Sequence, residues 1–247
     1  MRIDLNKHWI INQPIAHRGL HNCNDKIPEN SIAAFQKAIE KNFAIEFDVQ
    51  LSRDNEIVVF HDYDLKRMCG INKKVNEFSL TQLKDLYLKN TKEKIPTLKE
   101  VLDLANNKVP LLIEIKNEGK PTLLEKKLND LLSTYSGNYA IQSFNPMSLY
   151  WFYKNNPQVL RGQLSSKFKN IKMNFFIKYL LSNLYFNIFS HPDFIAYNID
   201  DLPNKKLNKS QKKIPVLGWT IDTIEKYQKS LIYCDNIIFE CLNIEKL

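Results

Sequence analysis

Two carboxylates placed two residues apart inside an apolar run are the first chemistry this chain offers. In Ala44-Ile-Glu-Phe-Asp-Val-Gln50 the side chains of an extended strand alternate, so Glu46 and Asp48 share one face and Ile45, Phe47 and Val49 the other. Like charges set this close inside a fold are costly unless a cation lies between them. All-oxygen ligation suits a hard divalent ion, Mg²⁺ or Ca²⁺. Leu112-Ile-Glu-Ile-Lys116 repeats the pattern, with Glu114 and Lys116 on one face. Two histidines end apolar runs of their own, His17 before Arg18-Gly19 and His61 before Asp62. Beside a metal, one imidazole can act neutral as general base and the other protonated as general acid. With Arg18 and Lys116 the set becomes a negative metal pocket rimmed by positive charge, which suits a phosphate ester. A solvated strand face is the competing reading, but a barrel strand has no solvated face.

The elements that must position these groups follow a βαβα order. Strands are expected at Pro14–His17, Ala44–Gln50, Pro110–Ile115, Tyr139–Gln142, Val159–Gly162, Phe194–Tyr197, Pro215–Thr220 and Asn236–Phe239. Helix starts are marked by Asn30 or Ser31, by the capping boxes Thr97 to Glu100 and Thr122 to Glu125, and by Asp222 with Glu225. Eight strand-helix units in 247 residues match an α/β chain of the (β/α)₈ TIM-barrel class, with a doubly wound sheet as the alternative. An extra β-like run, Glu56–Phe60, and the long stretch 62–95 read as a small insertion after the second strand of a single domain spanning 1–247.

Composition narrows the rest. With 44% hydrophobic and 25% charged residues the chain can bury one substantial core. Its six glycines are too scattered for a dinucleotide or Walker loop. Cys23, Cys69, Cys234 and Cys241 show no CxxC spacing and are expected as free thiols in a reducing cytosol. The start MRIDLNKHWI lacks an apolar signal core, and Asn174 to Phe189 is too short to span a bilayer, so a soluble cytoplasmic protein is expected. The net charge of +8 invites an anionic partner, yet nearly all the excess lies between Arg161 and Lys213, in two acid-free clusters, Arg161 to Lys178 and Lys205 to Lys213. No RNA-binding or helix-turn-helix motif accompanies these lysines, so nucleic acid is not an expected partner.

Taken in order, His17-Arg18-Gly19, Pro28-Glu29-Asn30-Ser31, Glu46-Phe-Asp48, His61-Asp62, Leu65-Lys-Arg67, Ile95-Pro96-Thr97-Leu98, Glu114-Ile-Lys116, Ser143-Phe144 and Trp219-Thr220 resemble the glycerophosphodiester phosphodiesterases over nearly the whole chain. The resemblance implies a (β/α)₈ barrel whose insertion is the 62–95 stretch. It implies Glu46, Asp48 and Glu114 as ligands of a divalent metal, His17 and His61 as the acid/base pair, Arg18 and Lys116 as phosphate-binding cations, Trp219 as a wall of the substrate pocket and Asn30 as a support of the site. The implied reaction cleaves a small-molecule glycerophosphodiester to glycerol 3-phosphate and an alcohol, with either water or the substrate's own glycerol hydroxyl attacking. The chain departs from the pattern at Ile221-Asp222 and at Phe239-Glu240-Cys241-Leu242.

Two other readings stay open. A phospholipase D-like enzyme acting on lysophospholipids at a membrane surface would use the basic, aromatic-rich run Ser165 to Phe189, although a barrel helix packed on the strands explains that run more simply. A non-catalytic binding protein of the same fold would have lost His17 or a metal ligand, and neither is lost.

Overall fold

The structure, a computed structural model, describes residues 8–22, 26–117, 119–169, 171–207 and 214–244. Cys23 and most of the second lysine cluster, 208–213, lie outside the described residues. In chain order the elements are α1 (Trp9–Asn12), β1 (Ile15–Ala16), α2 (Ile32–Glu40), β2 (Ala44–Leu51), β3 (Ile57–Val59), α3 (Lys66–Cys69), α4 (Leu80–Lys84), α5 (Leu98–Ala105), β4 (Leu111–Ile115) and α6 (Leu123–Leu132). They continue with β5 (Tyr139–Ser143), α7 (Pro146–Asn155), β6 (Arg161–Ser165), α8 (Phe175–Ser182), α9 (Asn187–Ser190), β7 (Phe194–Asn198), β8 (Val216–Ile221), α10 (Ile224–Tyr233) and β9 (Asn236–Phe239).

The chain divides into two compact units, Ile15–Tyr139 and Met1–Pro14 with Ala140–Leu247. In the first, β1, β2 and β4 run parallel, and β3 returns antiparallel along the end of β2 with Val49 opposite Val59. Residues 44–50 of β2 are all buried, the condition for strands covered on both faces. The stretch after β3 builds a satellite core of its own, with Leu65, Met68, Val75, Leu83 and Ile95 packed around Val58 and Phe60. In the second unit β5 to β9 are successive parallel neighbours. The three parallel strands of one unit and the five of the other are the eight of a (β/α)₈ fold, with β3 as the extra strand.

Several local expectations are sharpened. Ser31, not Asn30, caps α2, its Oγ accepting from the Ala34 amide at 3.1 Å. Thr97 and Glu100 form the full capping box of α5, exchanging bonds of 3.2 and 2.7 Å. The cap of α10 is Thr223, while Asp222 instead pairs with Lys226 at 3.0 Å. Cys69 and Cys234 are free thiols, but Cys241 is disulfide-bonded. The expectation of four free thiols fails there because spacing along the chain does not limit approach in space. Among the described residues no helix is long and apolar enough to cross a membrane. The segment expected as one packed barrel helix breaks after Ser182 into α8 and α9, and no residue of α8 is buried.

Candidate active site

The register of β2 and β4 sets Asp48 opposite Glu114, with Glu46 on the same face one pleat away. Oxygens of Glu46, Asp48 and Glu114 lie within 4.8 Å of one another, and all three residues are buried. Burial raises Glu46 well above the usual carboxylate range, and the charges of Asp48 and Glu114 push it the same way. Burial raises Glu114 as well, against the opposing pull of Lys116. Burial would also raise Asp48, but the charges of Lys116, His61 and Arg18, with a hydrogen bond from Asn30, hold it below its ordinary value. One firmly ionised carboxylate thus sits between two that favour a proton or a cation. Asp48 Oδ1 is buried without a hydrogen-bond partner, as an oxygen reserved for a cation would be. The three carboxylates therefore fit a hard divalent ion.

The turn after β1 brings cations to this cluster. Arg18 and Asn30 both adopt left-handed backbone, at φ 53° and 54°, and Gly19 lies between them in sequence at φ 80°. A Cβ on Gly19 would stand 2.9 Å from the backbone and Cβ of Ala34 in α2, so the turn can pack here only as glycine. The Asn30 amide closes the loop on the Arg18 carbonyl at 2.9 Å. So folded, the Arg18 amide donates to Glu46 Oε2 at 3.0 Å, and its guanidinium lies 2.7 Å from Glu29 and 3.6 Å from Asp48 Oδ2. Asn30, released from capping by Ser31, donates its amide to Asp48 Oδ2 at 2.9 Å. His17 Nε2 stands 4.0 Å from Glu46 Oε2. Lys116 Nζ reaches Glu114 at 3.0 Å and Asp48 at 3.6 Å; burial would lower it, but the two carboxylates hold it above the usual lysine range.

His61 is held from the other side. Its Nδ1 lies 2.6 Å from Asp62 Oδ1, and Arg67 forks onto the same carboxylate at 2.7 and 3.0 Å. Burial would raise Asp62, but these hydrogen bonds and the Arg67 charge hold it below the ordinary carboxylate range. An ionised carboxylate only accepts, so the Nδ1 of His61 is the donor of this bond, and in the neutral ring the lone pair lies on Nε2. Arg67 also forks onto Glu29, with both bonds at 2.7 Å, so Glu29 bridges the arginine of the β1 turn and the arginine of the insertion. Burial opposes this, yet the two arginines pull Glu29 down to about 2.

Of the nine residues singled out in the sequence, His17, Arg18, Asn30, Glu46, Asp48, His61, Glu114 and Lys116 lie in the unit Ile15–Tyr139. Trp219 belongs to the other unit, on β8, with its ring edge-on to Phe144 at 5.6 Å. Sequence reasoning assigned no role to Glu29, Asp62 or Arg67. Each stands inside a motif quoted above, but only the fold shows that they join one ion-pair network.

The model of the glycerophosphoryl diester phosphodiesterase family matches residues 17–238. The chain belongs to this family. With it, the chain belongs among the phosphoric diester hydrolases. A relative in Mycoplasma genitalium, the uncharacterized protein MG293, is 35% identical over 91% of this chain and 92% of its own. A glycerophosphodiester phosphodiesterase of Caldanaerobacter subterraneus is 36% identical over 61% of this chain and 65% of its own length. The crystal structure of a Thermotoga maritima glycerophosphodiester phosphodiesterase superposes with a TM-score of 0.68 at 27% identity, covering 91% of this chain and 92% of that one. An Oleispira antarctica phosphodiesterase, solved with the product sn-glycerol-3-phosphate, shares the fold at a TM-score of 0.77 and 22% identity, covering 94% and 93%.

Proposed function

We propose that the protein cleaves glycerophosphodiesters to glycerol 3-phosphate and an alcohol with a divalent metal and the pair His17 and His61. The buried cluster of Glu46, Asp48 and Glu114, framed by Arg18 and Lys116, carries this reading. It agrees with the named activity of the Caldanaerobacter relative and with the product bound by the Oleispira enzyme.

A metal held by Glu46, Asp48 and Glu114 would supply Lewis acidity that neutralises charge on a phosphoryl oxygen. Arg18 and Lys116 orient the phosphate and offset the charge that builds on it. Asp62 fixes His61 as the Nδ1–H tautomer and stabilises its cation, so Nε2 can take up or release a proton. His17, beside Glu46, performs the complementary transfer, so one imidazole deprotonates the attacking hydroxyl and the other protonates the leaving alkoxide. Trp219 is assigned to the substrate pocket on the family pattern.

Release of glycerol phosphate from glycerophosphocholine and glycerophosphoglycerol tests the reading, with and without chelator, for the native chain and His17→Ala. Both treatments are expected to abolish release, and activity that survives both would overturn the mechanism. A nitrophenyl diester separates the two histidines. Its phenolate leaves without protonation, so it rescues the variant that lacks the acid and not the one that lacks the base.

A further inference from the structure

We propose that the outer face of α8 and α9 docks the protein on an anionic lipid surface, as an interfacial element that lies on the bilayer without crossing it. The helix α8 reads Phe-Phe-Ile-Lys-Tyr-Leu-Leu-Ser, and none of it is buried. Phe175 is 83% exposed, Phe176 64%, Ile188 71% and Phe189 55%. Scattered exposed hydrophobics need no explanation, but nine large ones exposed within residues 171–189 mark a surface that something covers.

The segment is nonetheless well built. Asn174 Oδ1 accepts from the Phe176 and Ile177 amides at 2.9 and 3.3 Å, capping the start of α8. Its far end is fastened by Ser165 Oγ donating to the Leu181 carbonyl at 2.9 Å and Tyr197 Oη donating to the Ser182 carbonyl at 3.1 Å. One end is thus tied to the strands while the aromatic side chains face outward.

Charge decides between coverings. No Asp or Glu occurs from Arg161 to Pro192. Lys172 is exposed with no ion pair among the described residues, Lys178 reaches only the Lys169 carbonyl at 3.5 Å, and Lys206 stands 5.1 Å over the Tyr185 ring. Aromatic side chains among unpaired lysines are the composition of an interfacial anchor for anionic headgroups. A second copy applying the same face would bring these lysines against one another. A helix of eight residues rises about 12 Å, well short of the bilayer core, so it lies in the interface.

The test is flotation of the full chain with vesicles of phosphatidylcholine alone and of phosphatidylcholine mixed with phosphatidylglycerol. Binding is expected only to the mixed vesicles, and to fall steeply at about 0.5 M salt, where charges are screened within a few ångströms. Combining Phe175→Ser, Phe176→Ser and Ile188→Ser is expected to weaken it by at least about tenfold. Lys172→Gln and Lys178→Gln should each weaken it about fivefold. All of these variants should keep the circular dichroism and the hydrolysis rate on a water-soluble diester. Three results would each overturn the proposal: no binding to mixed vesicles at low salt, binding that both variant sets leave unchanged, or dimerisation through this face without vesicle binding.

Discussion

Asn30 shows how much a single amide can decide. It holds Asp48 Oδ2 at 2.9 Å inside a buried cluster of three carboxylates, orienting the oxygen that carries the firm negative charge. Groups that orient metal ligands from behind are worth about 10- to 100-fold in metal affinity. Asn30→Ala is therefore expected to weaken Mg²⁺ or Ca²⁺ binding by that factor, measured by calorimetric titration. Asp62 plays the matching part for His61. Asp62→Asn keeps the shape but leaves Nδ1 free to lose its proton, so kcat should fall by about 10²-fold or more with KM little changed. A steady-state comparison of the two constants checks this, and a change confined to KM would count against it.

At the scale of elements, the question is what joins the β1 turn, the insertion and the strands. Gly19 and Glu29 do most of it. Gly19→Ala adds a methyl 2.9 Å from α2 at φ 80°, so urea unfolding should show a loss of about 1–3 kcal/mol, with weakened metal binding because the Arg18 amide moves with the turn. Glu29 is a carboxylate depressed to about 2 by its arginines, so it contributes stability that is present above about pH 4.5 and is lost as pH falls through its folded value. Glu29→Gln should cost at most about 3 kcal/mol at neutral pH and only a small fraction of that near pH 2, read from urea midpoints across that range. These elements also show what was legible beforehand. Strand alternation put Glu46 and Asp48 on one face of their strand and Glu114 with Lys116 on one face of theirs, because a period of two is a local property of the backbone. The network of Arg18, Glu29, Arg67 and Asp62 was not legible, because it joins residues up to 38 positions apart whose meeting depends on how the insertion folds back. Nor was the outward face of α8, since an apolar run reads the same whether it is covered by strands or by nothing.

For the molecule as a whole, the proposed function has the acidic cluster couple folding to metal. Burial first, and neighbouring carboxylates with it, raise Glu46 and Glu114 above their ordinary values, so keeping both ionised at neutral pH costs the metal-free fold stability. That cost is carried above their folded values and relieved as pH falls through them, because the folded state then binds more protons than the unfolded chain. A divalent ion relieves the same cost by charge instead of protons, so metal and acid should compete. Metal-free protein is expected to gain stability on mild acidification from neutral pH, before the protonation of Glu29 and Asp62 reverses the trend at lower pH. Metal at about a hundred times its dissociation constant adds about 2.7 kcal/mol, a rise of roughly 5–10 °C in Tm for a chain of this size. The rise should shrink as pH falls and vanish in Asp48→Asn, where the ionised ligand is gone. Calorimetric scans over a pH series, with chelator and with saturating Mg²⁺ or Ca²⁺, read both effects at once. A metal-induced rise that is the same at every pH, or that persists in Asp48→Asn, would place the ion somewhere other than these three carboxylates.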